Sequence, residues 1–162
     1  MLDVFKEIEN AGYNFSLKII GGKDIDLVMA KSYASNLKLR NVIFEGLIPQ
    51  QDLKNYYQAA DALVMFSNYE TFCVAIYESL ACGTPVITTD VANLGEVIDK
   101  DMGIVISINN KLKLKESIIA IIKNEKLFNS QTMRSFVEKN YSSQIIGKKL
   151  FNYYNNLINH ES

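Results

Sequence analysis

Short apolar runs alternate along this chain with longer segments of helical periodicity, and no other feature of the sequence restricts the fold as much. The apolar runs that predict strands are 15–20, 41–44, 62–66, 85–88 and 103–106. The run at 62–66 reads Ala-Leu-Val-Met-Phe, and the absence of polar residues is typical of a strand buried on both faces. Strands that alternate with helices indicate an α/β domain with a mostly parallel sheet.

The segments between these runs predict helices. Their predicted ranges are 2–10, 25–38, 49–59, 72–82 and 93–98, followed by a helix around 118–122 and a last helix around 145–158. Pro49 opens one of these helices and Gly83 ends another, as these residue types commonly do. A chain of 162 residues, of which 48% are hydrophobic, fits a single globular domain over 1–162.

Composition argues against several partners and locations. The 17 Lys and Arg residues balance 18 Asp and Glu residues, which gives no support to a nucleic-acid partner or a polybasic membrane anchor. Cys73 and Cys82 are predicted to lie on one helix, about 13 Å apart along its axis, which is too far for a disulfide. Reduced thiols, no signal-peptide pattern and no apolar run of membrane-spanning length lead us to expect a cytoplasmic protein.

The segment from Ser67 to Val86 is the strongest candidate for a ligand site. Ligands of an open parallel sheet bind beyond the carboxyl ends of its strands, and this segment follows the buried strand 62–66. Between Thr71 and Thr89 the only charged residue is Glu78, which lies in the second turn of an otherwise apolar helix. A lone carboxylate in such surroundings is unfavourable unless it is paired or reaches the solvent edge.

A second carboxylate, Glu70, precedes the same helix. The free backbone N–H groups of Phe72, Cys73 and Val74 mark the predicted start of that helix, and such a terminus suits a diphosphate. Two carboxylates beside an anion site suit the hydroxyl groups of a sugar or ribose, since these groups are donors. The spacing leaves an alternative open, in which Glu70 caps the helix and Glu78 pairs with a lysine.

These residues resemble the signature of a known family. Glu70, Glu78 and the sequence Ala-Cys-Gly-Thr-Pro-Val at 81–86 resemble the core motif of retaining glycosyltransferases of the GT-B fold, in the "group 1" (family 4) set. The segments 17–21, 42–46 and 53–67 are similar to that family's strand and helix motifs. The resemblance implies a Rossmann-like three-layer α/β domain, the second and donor-binding half of a GT-B fold.

The resemblance also implies roles for individual residues. Glu78 accepts hydrogen bonds from the ribose of the nucleotide, and Glu70, the candidate catalytic residue, binds hydroxyls of the donor sugar. The remaining donor-binding candidates are the amides of Thr71, Phe72, Cys73 and Val74 for the sugar and diphosphate, Gly46, Leu47 and Ile48 for the base, and Gly21. The resemblance further implies that the substrate is a nucleotide-diphosphate sugar, with no cofactor and no metal expected.

The sequence departs from the family pattern beside the first carboxylate. Thr71-Phe72-Cys73 stands where the family often has Gly-Phe-Gly, and the lost glycines narrow the room beside the backbone. The identity of the sugar and the tightness of its binding are therefore left open.

Two further parts of the family's fold have no counterpart here. One is the family's first domain, which binds the acceptor, and the other is the opening strand of its second domain. We therefore expect this chain alone to bind the sugar donor without transferring the sugar. In the strand order of this fold the missing strand is central. We therefore predict that the strands at 15–20 and 62–66 pair directly, or that a second chain fills the gap between them.

The sequence leaves open what the last helix packs against and which acceptor is used. In the family this helix crosses onto the first domain, so Tyr153, Tyr154 and Leu157 are expected to be exposed or to form a homodimer, with packing on the domain's own sheet as the alternative. The family's acceptors are saccharides or lipids, which allows a site at the inner face of a membrane.

Two other classes of protein were weighed against this interpretation. A flavodoxin-like or receiver-type module is disfavoured because a receiver needs an acidic cluster after its first strand, where this chain has Gly-Gly-Lys at 21–23. A truncated α/β binding or interaction module without transferase activity stays open as the alternative function.

Overall fold

A computed structural model describes residues 1–160, the last two of them by backbone alone. The helices are α1 (Leu2–Asn10), α2 (Asp24–Asn36), α3 (Gln50–Ala59), α4 (Val74–Cys82), α5 (Leu94–Val97), α6 (Lys111–Ile122), α7 (Ser130–Tyr141) and α8 (Ser143–His160). The strands are β1 (Leu17–Ile20), β2 (Val42–Gly46), β3 (Leu63–Met65), β4 (Val86–Thr89) and β5 (Gly103–Ile106). The predicted alternation of strands and helices is confirmed, while α7 matches none of the predicted helix ranges.

The strands form two separate parallel sheets. β1 pairs with β2, while β3, β4 and β5 form a second sheet in that order. β4 is the central strand of its sheet and is buried along its whole length, which fits the sequence Val-Ile-Thr-Thr only because the two threonine hydroxyls have acceptors. All three pairings are parallel, as predicted.

The predicted direct pairing of the strands at 15–20 and 62–66 is wrong. β1 and β3 belong to different sheets, and a cavity lies between them. The physical reason is the layer of helices beneath the sheets. α1 packs against α6, and their side chains Phe5 and Ile118 share one buried core with Leu17 of β1 and Ile87 of β4. This shared core holds the two sheets at a fixed separation, so the edges of β1 and β3 do not meet.

A second core lies on the other face of the larger sheet. It joins Ile76 and Leu80 of α4 to Val86 of β4, Leu94 of α5 and Met133 of α7. Helices therefore cover both faces of the sheet, which gives the three-layer arrangement that the alternation of strands and helices predicts.

The last helix leaves apolar side chains at the surface. Tyr153 and Tyr154 are 61% and 59% exposed, and Leu157 is 48% exposed. The alternative in which these residues pack on the domain's own sheet is therefore wrong, while the homodimer stays a prediction. Within residues 1–160, no helix is long and apolar enough to cross a membrane. Cys73 and Cys82 are both free thiols, as predicted.

Candidate functional site

The start of α4 is set by an unusual backbone conformation. Cys73 immediately precedes the helix with φ +55° and ψ +60°, in the left-handed region that favours glycine. The helix begins at Val74, two residues later than predicted, so Thr71 and Phe72 lie in the preceding loop. The amides of Val74 and Ala75 are among the first N–H groups of the helix, which have no acceptor within it.

Glu78 is held by two donors from α3. Its Oε1 accepts a hydrogen bond from the Nε2 group of Gln50 and its Oε2 accepts one from the Tyr57 hydroxyl, each at 3.0 Å. Burial, and then the hydrogen bond to Glu78, raise the pKa of Tyr57, so the phenol remains a donor. Glu78 takes part in none of the ion pairs found in residues 1–160, so the alternative that pairs it with a lysine is not what the structure shows.

Sequence reasoning did not identify the two partners of Glu78. Gln50 and Tyr57 are seven residues apart on α3, which places both on one face of that helix, and this spacing is the only signal the sequence contains. The contact between α3 and α4 is a property of the tertiary structure, because these residues are 28 and 21 positions away from Glu78.

Glu70 is fixed by the loop that follows β3. Its Oε1 accepts a hydrogen bond from the Ser67 hydroxyl at 2.8 Å, and the Ser67 carbonyl accepts one from the Thr89 hydroxyl at the end of β4. No side chain caps α4, so the alternative in which Glu70 caps this helix is also wrong. The carboxylate is therefore tied to the carboxyl ends of the strands.

A cavity of about 670 Å³ extends from between β1 and β3 to the carboxyl ends of these strands. Of the residues predicted to bind a donor, four line it: Gly21, Leu47, Ile48 and Glu78. The other candidates lie outside its lining: Gly46, Glu70, Thr71, Phe72, Cys73 and Val74. The structure thus brings together predicted residues from the loop after β1, the loop after β2 and α4. The predicted residues around the start of α4 do not line the cavity.

Two glycines shape the edge of this cavity. Gly21 directly follows β1 and Gly46 is the last residue of β2, with φ values of +100° and +70°, where a side chain is strained. The Gly21 N–H donates to the Gly46 carbonyl at 2.7 Å, which joins the two strand ends. Gly46 therefore does not line the cavity itself, but it turns the chain so that Leu47 and Ile48 do.

An aromatic cluster surrounds the loop before α4. Phe72, which is 50% exposed, stacks on Tyr77 with 4.7 Å between ring centroids, and Tyr77 contacts Tyr141 of α7 at 4.5 Å. Burial, and then the nearby Glu70 carboxylate, raise the pKa of the Cys73 thiol. Since the thiolate is the reactive form of cysteine, Cys73 is unsuited to act as a nucleophile at neutral pH.

No group of three or more His, Cys, Asp or Glu side chains is arranged to hold a metal ion in the part of the chain that the structure describes. The expectation that no metal and no cofactor take part stays a prediction.

Comparisons with known proteins add the following. Residues 1–142 match the family described as "Glycosyl transferases group 1". The uncharacterized glycosyltransferase MJ1178 of Methanocaldococcus jannaschii is 33% identical over 132 residues, which is 78% of this chain and 35% of that protein. Sucrose-phosphate synthase from Thermosynechococcus elongatus superimposes with a TM-score of 0.85 at 24% identity, over 98% of this chain and 42% of that one.

A further solved structure holds a ligand. Anabaena Alr3699/HepE in complex with UDP-glucose superimposes with a TM-score of 0.79 at 16% identity, over 95% of this chain and 44% of that one. At such identities the two structural comparisons show a shared fold, which confirms the predicted Rossmann-like α/β architecture. The chain spans less than half the length of each of these three proteins.

Proposed function

Because this chain belongs to the group 1 glycosyltransferase family, we propose that it is the nucleotide-sugar donor-binding part of a retaining transferase. The single observation that carries this proposal is the convergence of Gly21, Leu47, Ile48 and Glu78 on one cavity at the carboxyl ends of the strands. Ligands of open parallel sheets bind at this edge. The complex of a protein of the same fold with UDP-glucose supports the choice of ligand class.

The chemistry of Glu78 suits a ribose. An ionised carboxylate has about four acceptor positions, and Gln50 and Tyr57 occupy two of them. The ribose hydroxyls are donors, so they add to these hydrogen bonds or replace them. Gln50 and Tyr57 fix the orientation of the carboxylate before the nucleotide arrives, which reduces the entropy lost on binding.

Glu70 and the start of α4 suit the rest of the donor. The Ser67 hydroxyl occupies one position on the Glu70 carboxylate, and the remaining capacity is available to hydroxyls of the sugar. The first N–H groups of α4 and the positive end of its dipole favour the diphosphate. The roles of Thr71, Phe72, Cys73 and Val74 rest on this proximity and on the family's pattern.

We propose that transfer of the sugar requires a further part of the protein besides this chain. The chain spans less than half of its relatives, and we propose that the remaining part of a longer protein supplies the acceptor site. A hexose then passes to a saccharide or lipid acceptor in the cytoplasm or at the inner face of a membrane. The isolated chain binds the donor without transferring it. The second candidate, an interaction module without donor binding, is separated from the first by the next experiment.

The test is a calorimetric titration of the chain with UDP, GDP and ADP and with their glucose or mannose conjugates. One nucleotide is expected to bind at millimolar concentration or below, and Glu78→Ala is expected to weaken that binding by at least about tenfold, because a hydrogen bond to a charged group is lost. Glu116→Ala, which removes an exposed carboxylate of α6, is the matched control. Absence of binding to every nucleotide rejects the donor site, and unchanged binding by Glu78→Ala rejects the role given to this residue.

A further inference from the structure

Two buried hydroxyl groups join the carboxyl-terminal ends of α3 and α4. The Thr84 hydroxyl donates a hydrogen bond to the backbone carbonyl of Tyr57 at 2.6 Å, and the Ser79 hydroxyl donates one to the carbonyl of Thr84 at 3.0 Å. Ser79 and Thr84 are 0% and 4% exposed. We call these three residues, Tyr57, Ser79 and Thr84, the α3–α4 clamp.

The backbone of Thr84 is fixed to the last turn of α4. Its N–H group donates to the Ser79 carbonyl at 3.0 Å, and the preceding Gly83 N–H donates to the Leu80 carbonyl at 2.9 Å. Gly83 has φ +80°, the left-handed conformation that commonly ends a helix. The N–H, C=O and hydroxyl groups of Thr84 all take part in hydrogen bonds, so this residue is held rigidly at the end of α4.

The position of α3 depends on a few specific contacts. None of its ten residues is buried, so apolar packing alone holds this helix weakly. The last four carbonyls of a helix have no partner in its regular hydrogen-bond pattern, and that of Tyr57 is one of them. It accepts from the Ala60 N–H at 3.1 Å and from Thr84, which is 27 positions further along the chain. Thr84 therefore anchors the end of α3.

Tyr57 connects this anchor to the candidate site. Its carbonyl is held by Thr84, while its hydroxyl donates to Oε2 of Glu78 at 3.0 Å. Glu78 directly precedes Ser79 in α4, so the two helices are joined both at the clamp and at the carboxylate. Tyr57 and Glu78 line the cavity, whereas Ser79 and Thr84 do not. The two clamp hydroxyls therefore act on the site only through Tyr57 and α4.

We propose that Thr84 and Ser79 are positioning residues, which hold α3 against α4 so that the Tyr57 hydroxyl meets Glu78. The inference rests on the proposed function, because the carboxylate held in this way is the one assigned to the ribose of the donor. A fixed donor on one oxygen keeps the remaining acceptor positions of Glu78 in a constant direction. Rigid support of a binding residue reduces the entropy lost on binding. The clamp thereby raises the affinity for the ribose without touching the nucleotide.

The first test compares Thr84→Val with Thr84→Ser in the whole chain. Valine matches the shape of threonine but has no hydroxyl to donate, whereas serine keeps the hydroxyl. Carbon-13 NMR follows the Tyr57 ring carbon that bears the hydroxyl, assigned with Tyr57→Phe, and Glu78→Ala gives its position without the bond to Glu78. The resonance is expected to move toward that position in Thr84→Val and to stay in place in Thr84→Ser.

The second test measures how strongly each variant distinguishes the ribose. The probes are UDP, GDP and ADP and their 2′,3′-dideoxy forms, titrated by calorimetry. Thr84→Val is expected to weaken binding of the ribonucleotide by about fivefold, the effect of one hydrogen bond, and to leave binding of the dideoxy form unchanged. Ser79→Ala, used if circular dichroism shows that Thr84→Val does not fold, is expected to cause a smaller loss that is also confined to the ribonucleotide.

Three results would overturn the proposal. If the Tyr57 resonance does not move in Thr84→Val, the Thr84 hydroxyl only satisfies a buried carbonyl. If Thr84→Ser behaves as Thr84→Val does, side-chain shape rather than the hydrogen bond sets the position of Tyr57. Equal losses for the ribonucleotide and its dideoxy form assign Thr84 a structural role alone. The NMR test needs no nucleotide, so the positioning of Glu78 and the donor site fail or succeed separately.

Discussion

Because the backbone of Cys73 is left-handed, glycine is expected to make the protein more stable than alanine does at this position, which reverses their usual order within a helix. A residue with a Cβ atom at φ +55° and ψ +60° is destabilised by about 1–2 kcal/mol relative to a right-handed conformation. Glycine avoids this strain, but its greater freedom in the unfolded chain offsets about 0.4–1 kcal/mol. We therefore expect Cys73→Gly to be more stable than Cys73→Ala by about 0.5–1 kcal/mol.

The comparison of these two variants isolates the backbone. Both lose the same buried thiol, so the packing of the sulfur atom does not enter the difference between them. The free energy of unfolding is measured by urea denaturation followed by circular dichroism, and the midpoint temperatures are expected to differ by about 2 °C. The control is Ala81→Gly at an exposed position of α4, which is expected to lower stability by about 1 kcal/mol because glycine is unfavourable within a helix.

The outcome that refutes this reasoning is equally specific. If Cys73→Ala is as stable as Cys73→Gly, or more stable, then position 73 does not hold the left-handed conformation, and α4 does not begin where the structure places it. The Ala81→Gly result establishes in the same experiment that an ordinary alanine-to-glycine change in this helix has its normal sign.

Three further predictions concern packing, the site and pH. Gly103→Ala places a Cβ atom in steric overlap with the carbonyl oxygen of Val86, and this overlap is expected to lower the free energy of unfolding by about 3 kcal/mol in urea denaturation. Tyr57→Phe removes one of two donors to Glu78 and is expected to weaken nucleotide binding by about fivefold in calorimetry, which is less than the loss from Glu78→Ala. Burial raises the pKa of the Cys73 thiol in the folded chain, so the unfolded chain loses this proton at a lower pH than the folded chain does. The free energy of unfolding is therefore expected to fall as pH rises above about 8.5.

Each of these predictions has its own control. Gly147→Ala in α8, where a Cβ atom meets nothing within 4 Å, is expected to raise stability slightly, and equal effects of the two glycine changes would contradict the steric reasoning. For Tyr57→Phe, an unchanged nucleotide affinity would show that the phenol does not orient Glu78. In Cys73→Ala the decline in stability above pH 8.5 is expected to be shallower, and an identical decline would assign it to other groups.

The secondary structure was predictable because it depends on local patterns. Apolar runs and helical periodicity identified all five strands, and β5 begins and ends where predicted. Gly83, which the sequence marks as the end of α4, follows it with φ +80°. Glu78, which lines the cavity, was identifiable as a candidate site residue because it is the only charge in an apolar helix, and this feature is also local.

The failed strand pairing and the missed partners of Glu78 both depend on contacts between residues that are far apart in the chain. The pairing predicted between β1 and β3 failed because the distance between them is set by Phe5 and Ile118, which lie on helices far apart in the chain. Gln50 and Tyr57 were missed because their contact with Glu78 requires α3 to pack on α4. Nothing in a local pattern reports such distances.

The sequence by itself determined the order of the five strands, the parallel α/β class and the choice of Glu70 and Glu78 as candidate site residues. Each of these depends on side-chain type and spacing within a few residues, and backbone geometry converts that spacing directly into structure. Only the tertiary structure decided that the two sheets stay apart, that Cys73 adopts a left-handed conformation and that Glu78 is held by α3. These features depend on how helices and sheets pack against one another, because packing fixes the distances between residues that are remote in sequence.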